Sequence, residues 1–96
     1  MKGKTSLSKV IYDALKDFGG EAVVNSLLWY LNHQHNMSLD DVIKKPEEFV
    51  SFLKEVYGDF EPIIENHLVE KISKAYGINP GKGLVETLKK FKEEQT

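Results

Sequence analysis

The sequence contains no cysteine and no arginine among its 96 residues. Without cysteine, the chain can form neither disulfide bonds nor thiolate metal sites. Without arginine, it lacks the planar bidentate group that reads guanine edges and binds phosphates, because lysine supplies only a point charge. These absences exclude disulfide-stabilised and zinc-thiolate folds, and they weaken any nucleic-acid interpretation.

Long apolar runs are also missing, since no stretch approaches the roughly 18 residues that a membrane-spanning helix needs. The first ten residues, MKGKTSLSKV, have lysines but no apolar segment behind them, so we predict no secretory signal. A hydrophobic share of 41% and a net charge of −2 are typical of one small globular domain. We therefore expect a cytoplasmic protein with no membrane partner.

Capping residues and apolar spacing predict helices from the start of the chain. A first helix begins after Ser6 or Ser8, and the glycines at 19–20 end it. A second helix spans about 21–35, and Asn36 suits a left-handed cap at its end. The apolar face of this second helix comprises Val24, Leu27, Leu28 and Leu31.

The middle of the chain carries the pattern of a capping box. Ser38 and Asp41 form the box, and Met37 and Val42 occupy the two positions of a hydrophobic staple. These residues predict a short linking helix. That helix must end before Pro46, which suits the first turn of the next helix.

Three further helices are predicted after this point. The first of them ends at Gly58, and Asp59 is expected to cap the next, with Pro62 in its first turn and Gly77 at its end. A final helix follows the turn at 78–83. The apolar stripes of the three helices are Phe49, Phe52, Leu53 and Val56; Phe60, Ile64, Leu68, Ile72 and Ala75; and Leu84, Leu88 and Phe91.

No segment shows the period-two alternation of a strand, so we predict an all-α fold. We expect one domain over residues 1–96, with its core at about 7–92 and frayed ends at 1–5 and 93–96. The predicted architecture is a compact bundle of five or six helices, made of two αα-hairpins, a short linking helix and a C-terminal helix. The hairpins share an apolar pattern that either duplication or chance can produce.

The histidine pair in the segment NHQHN does not predict a metal site. His33 and His35 are two apart, so on a helix they point about 200° from each other and cannot bind one ion together. A zinc-binding helix has its histidines at i and i+4. The chain also contains no Gly-x-Ser-x-Gly nucleophile motif and no phosphate-binding loop. We predict no catalytic residue, no metal and no cofactor.

The second helix carries an unusual residue away from its leucine face. Trp29, the only tryptophan, shares that other side with Ala22, Ser26 and His33, and Tyr30 lies next to it. Either this is the central helix, with Trp29 in the core, or its second face meets another chain. The first alternative is the more ordinary one, but Trp and Tyr are favoured at protein interfaces.

The order of these features resembles an archaeal helical family, the Nitrosopumilus output domain. The resemblance covers roughly residues 7–78 and rests on the segments FGG, YLNHQHNMSLDDVIKKPEEF, VYG and EPIIENHLVEKI. It implies a small cytoplasmic domain that passes on a signal through protein contacts. Such domains occur alone or attached to signalling modules, and the resemblance implies no catalytic residues.

The leading hypothesis is a non-enzymatic interaction or regulatory module. It would form a homodimer through Ala22, Ser26, Trp29, Tyr30 and His33. The alternative is weak nucleic-acid binding through lysines at the two ends of the chain, although nearby acids nearly cancel those of the last helix. The lysines of this alternative are Lys89, Lys90 and Lys92, with Lys2, Lys4 and Lys9 at the N-terminus.

Overall fold

The chain forms helices where the sequence has capping residues and apolar stripes. A computed structural model describes residues 6–95, and no strand occurs in that range. The α-helices are α1 (Leu7–Lys16), α2 (Gly20–His35), α3 (Pro46–Tyr57), α4 (Glu61–Tyr76) and α5 (Leu84–Gln95). Single 3-10 turns, Leu39–Asp41 and Gly58–Phe60, precede α3 and α4. The predicted all-α class is confirmed.

Several predicted helix ends are confirmed by their local geometry. The Ser6 side chain accepts a hydrogen bond from the Lys9 N–H at 3.2 Å and so begins α1. Pro46 is the first residue of α3. Asn36, with a φ of 54°, ends α2, and Gly77, with a φ of 63°, ends α4 in the same left-handed conformation.

The predicted linking helix is wrong in kind. Ser38 and Asp41 do form the capping box, but it opens one 3-10 turn and not an α-helix. The reason is the short distance to Pro46, because Lys45 before it takes a φ of −133° that no helix can continue. The predicted bundle of five or six helices counted this segment as a helix, and that part of the count is wrong, because residues 39–41 form only a 3-10 turn.

The predicted start of α4 is also wrong. Asp59 lies inside the second 3-10 turn, and the residue that precedes α4 is Phe60, which provides no side-chain cap. Because the turn continues directly from α3, the helix starts later than the capping pattern indicated. Two members of the predicted apolar stripe, Phe60 and Ala75, are exposed, whereas the other three, Ile64, Leu68 and Ile72, are buried.

Helix α4 lies at the centre of the domain and packs against α1, α3 and α5. Helix α2 packs mainly on α1, at the periphery, and α3 also contacts α5. The radius of gyration, 12.6 Å, is close to the value of about 12–13 Å for a compact chain of this length. The largest fully buried side chains are Phe49, Phe52, Ile11, Leu15, Leu31, Met37, Leu53, Ile64, Leu68, Ile72, Leu84 and Leu88.

The expected fraying at residues 1–5 and at Thr96 lies outside the described residues. At the other end of the described range, α5 continues beyond 92 to Gln95. None of the helices between residues 6 and 95 is long and apolar enough to cross a membrane.

Candidate functional site

The outward face of α2, formed by Ala22, Ser26, Trp29, Tyr30 and His33, is exposed along its whole length. Trp29 leaves 61% of its surface in contact with solvent, and Tyr30 leaves 39%. The interpretation of Trp29 as a core residue is therefore wrong. The physical reason is the peripheral position of α2, since α4 takes the centre: α2 packs mainly on α1, and its Tyr30 touches α3. No described helix covers Trp29.

Two aromatic contacts hold the large side chains of this face in place. The Trp29 ring stacks on the His33 ring, with centroids 3.9 Å apart and planes 22° from parallel. Tyr30 lies against the buried Phe52 of α3, with ring centroids 5.9 Å apart. Side chains that are already ordered lose less conformational entropy when a partner covers them. The outward face is thus a preorganised aromatic surface.

His35 fastens the C-terminal end of α2 to α3. Its Nδ1 atom lies 3.2 Å from Glu48 Oε2, and its Nε2 atom lies 3.0 Å from Glu55 Oε1. The hydrogen bond to Glu55 raises the pKa of His35, and Glu48 raises it further, whereas burial acts in the opposite direction. His33 meets Trp29 and His35 meets the two carboxylates, so the two histidines serve different contacts.

The outward face of α2 carries almost no formal charge. Glu21, in the first turn, is the only Asp, Glu or Lys in the whole helix. The small residues Ala22 and Ser26 come first along this side, seven and three residues before Trp29, and the aromatic residues follow. A surface of this kind can approach another helix closely without like-charge repulsion.

The lysines of the nucleic-acid alternative are partly neutralised within the domain. Lys89 Nζ lies 3.5 Å from Glu47 Oε2 of α3, and Lys9 Nζ lies 3.0 Å from Asp13 Oδ1 on its own helix. These pairs reduce the local positive charge that phosphate binding requires. The other lysines of that prediction are Lys90, partly buried, and Lys92, exposed, with Lys2 and Lys4 outside the described residues.

A second exposed apolar surface lies beside the α1–α2 turn. Phe60 and Ile63 are 46% and 51% exposed, and Phe18 makes an edge-on contact with Phe60 at 6.1 Å between centroids. Phe18 also contacts the ring of His67, whose Nε2 lies 2.8 Å from Asp17 Oδ2. That hydrogen bond lowers the pKa of Asp17.

Sequence reasoning missed a carboxyl pair at the start of α4, Glu61 and Glu65, of which Glu61 is buried. Glu61 is only 3% exposed, and burial, followed by its hydrogen bond to Glu65, raises its pKa to about 7. A signal was present, because Glu61 stands three residues before Ile64 and seven before Leu68, on the apolar stripe of the helix.

No family model, no curated protein and no solved structure matches this chain. Among residues 6–95, no group of three or more His, Asp or Glu side chains is placed to hold a metal ion. The outward face of α2 is the surface on which the sequence pattern and the structure converge.

Proposed function

We propose that the protein is a cytoplasmic, non-enzymatic interaction module that pairs with a second copy of itself through the outward face of α2. The observation that carries this proposal is Trp29, 61% exposed and stacked on His33. Tryptophan and tyrosine provide much of the binding energy at protein interfaces when they become fully desolvated. An ordered indole on an uncharged helix surface suits that use.

A second copy is the partner that best fits the chemistry of the face. A twofold axis places each residue of the face opposite the same face of the partner. A charged surface would then repel itself, but this one carries only Glu21, at the beginning of the helix. Ala22 and Ser26 leave room for the indole of the other copy, so two α2 helices can pack side by side.

The regulatory part of the proposal comes from the resemblance to the archaeal output domain family. The apolar pattern of the sequence gives the architecture of this proposal, in which two αα-hairpins, α1–α2 and α3–α4, are completed by the linking turn and α5. Pairing through α2 would leave the other surfaces available for a downstream protein. The domain would then transmit a signal by changing between free and paired forms.

Sedimentation equilibrium over a range of protein concentrations tests the dimer. We expect the wild-type chain to be dimeric at high micromolar concentration. Trp29→Ala should weaken association by about 30-fold, the effect of losing a hot-spot side chain worth about 2 kcal/mol. Tyr30→Ala should have a smaller effect, because part of its ring already packs on Phe52.

The matched control is Ile63→Ala, which removes another apolar side chain that is more than half exposed, on α4. This variant should associate like the wild type. A wild-type chain that stays monomeric at high micromolar concentration contradicts the proposal. So does a Trp29→Ala variant that associates as strongly as the wild type.

The nucleic-acid alternative predicts binding at low salt through the lysines of α5. A fluorescence anisotropy titration with single-stranded and double-stranded oligonucleotides separates the two functions. Our proposal predicts no binding, and the Lys89–Glu47 ion pair supports that expectation. Binding that weakens steeply with salt and with Lys92→Ala would favour the alternative.

A further inference from the structure

The strongest remaining feature is the carboxyl pair of Glu61 and Glu65, one helical turn apart on α4. Glu61 is 3% exposed, and its carboxyl group is within hydrogen-bonding reach of Glu65. Two carboxylates can only accept hydrogen bonds, and Glu61 Oε2 has no donor within reach. A single proton on Glu61 makes its carboxyl group a donor toward Glu65, and it removes the repulsion between two charges in contact.

The pair is connected to α5 through the second residue. Glu65 Oε2 accepts a hydrogen bond from the Leu84 N–H at 2.7 Å, and Leu84 is the first residue of α5. That N–H is one of the backbone donors that a helix leaves unsatisfied at its start. A Cβ on Gly83, the residue before Leu84, would stand 2.8 Å from the same oxygen, so a larger residue there would push the Glu65 carboxylate away. Glu65 therefore caps α5 from a neighbouring helix.

Helix α5 contributes a substantial part of the core. Leu84 is completely buried, Leu88 is 1% exposed and Phe91 is 7% exposed. The helix packs on both α3 and α4, so it covers the apolar surface between them. If its first turn loosens, that apolar surface becomes accessible to solvent.

The groups around the pair include both signs of charge. Lys54 of α3 acts against the other influences on Glu61, because its positive charge favours the ionised form. The same helix carries Tyr57, whose buried hydroxyl has no hydrogen-bond partner. Near Glu65 lie Lys82 of the loop before α5 and Glu86 and Lys89 of α5. Farther along α4, His67 contacts Asp17, which follows α1.

We propose that the Glu61–Glu65 pair is a proton-controlled latch that holds the first turn of α5 against α3 and α4. With one proton on the pair, Glu61 donates to Glu65, and Glu65 in turn accepts from the Leu84 N–H. Loss of that proton leaves two carboxylates in contact. Glu65 then turns toward solvent, the Leu84 N–H loses its acceptor, and α5 opens. This device is independent of the proposed dimer.

The direction in which pH changes the stability of the closed latch follows from the linkage between closing and proton binding by Glu61. The pKa of Glu61 is raised from 4.5 to about 7 in the folded protein, so the folded state binds the proton more tightly than the open state. The stabilisation is fully present below 4.5. It is lost as the pH rises toward about 7, and above that value the latch stays weakened. The release of α5 thus falls near neutral pH.

Amide hydrogen exchange of the full chain, measured between about pH 5 and about pH 8 and corrected for intrinsic rates, tests the latch. The protection of the α5 amides, beginning with Leu84, should fall by up to about tenfold per pH unit as far as neutrality, the slope of a one-proton linkage. The ring contact between Tyr76 and Phe91, at 4.6 Å between centroids, provides a second reporter through its chemical shifts.

Two variants separate the latch from a general effect of pH. Glu61→Gln keeps a donor toward Glu65 but cannot titrate, so its α5 protection should not vary with pH in this range. Glu86→Gln is the matched control, since Glu86 accepts from the Lys82 N–H in the same turn. Glu86→Gln keeps an oxygen that can accept this bond, so its α5 protection should show the wild-type dependence on pH.

The proposal fails if the wild-type α5 protection does not change with pH, or if the slope persists in Glu61→Gln. If Glu61→Gln does not fold, carboxyl-carbon NMR of the wild-type chain decides the matter. One carboxyl carbon of the pair should then titrate near neutrality. Two midpoints near the ordinary value of about 4.3 would overturn the latch.

Discussion

Helices α2 and α4 are both 16 residues long, and each ends in a left-handed residue, yet the fold uses them in opposite ways. Helix α4 packs against α1, α3 and α5, whereas α2 packs mainly on α1. Both carry large apolar side chains outside their main apolar stripe. On α2 these include Trp29, and on α4 they include Ile63, and both side chains are more than half exposed.

The comparison shows that a helix's own sequence does not decide how many of its sides are buried. Trp29 is larger and more apolar than Glu61, yet Trp29 lies in solvent and Glu61 lies in the interior. The difference comes from the number of helices that surround each position. A polar group on the central helix must then find a partner inside the domain, as Glu61 does in Glu65.

The largest expected difference is between the stability changes caused by substituting a core residue of α4 and the exposed tryptophan of α2. Leu68→Ala removes a completely buried side chain and should lower the free energy of unfolding by about 4 kcal/mol, because a cavity remains. Trp29→Ala should change the unfolding free energy of the monomer by no more than about 0.5 kcal/mol. Chemical denaturation at low protein concentration measures both, and comparable losses would contradict the contrast between the helices.

A smaller effect concerns the attachment of α2 to α3 through His35. Its pKa is raised, so its contribution to stability is fully present below 6.5 and is lost as the pH rises through the raised value. His35→Gln should therefore cost about 1 kcal/mol near pH 6 and clearly less near pH 9. His33→Gln is the control on the same helix, and urea denaturation at the two pH values compares them. Equal costs at both pH values would show that His35 contributes no charged contact.

The smallest effects distinguish the two left-handed helix ends. Gly77→Ala should destabilise the domain by about 1 kcal/mol, although a Cβ there has open space, because alanine disfavours a φ of 63°. Asn36→Gly should stabilise it by a few tenths of a kcal/mol, about 0.5 at most, since glycine accepts a φ of 54° at no steric cost. Thermal unfolding measures both shifts, and shifts of the same sign would contradict the cap geometry.

Much of the local structure could be predicted because it depends on neighbours in the chain. Ser6, Asn36, Pro46 and Gly77 each mark a helix end through contacts or dihedral preferences that lie within a few residues. Two of the errors, at the linking turn and at Asp59, arose where 3-10 geometry replaced an α-helix over three residues. Capping patterns do not distinguish the two kinds of helix.

The candidate site was only half predictable. Periodicity placed Ala22, Ser26, Trp29 and His33 on one side of α2, and the structure leaves that side exposed. Periodicity could not choose between core and surface for Trp29, since both alternatives give the same spacing. It also could not bring Glu65 to the start of α5, because those residues meet only when two helices pack.

The sequence by itself determined the all-α class, most helix ends and the composition of each helix face, because these properties arise from local sterics and from a period of 3.6 residues. Tertiary structure decided which helix became the central one, and with that the exposure of Trp29 and the burial of Glu61. These outcomes depend on how several faces fill space together, and no single segment contains that information.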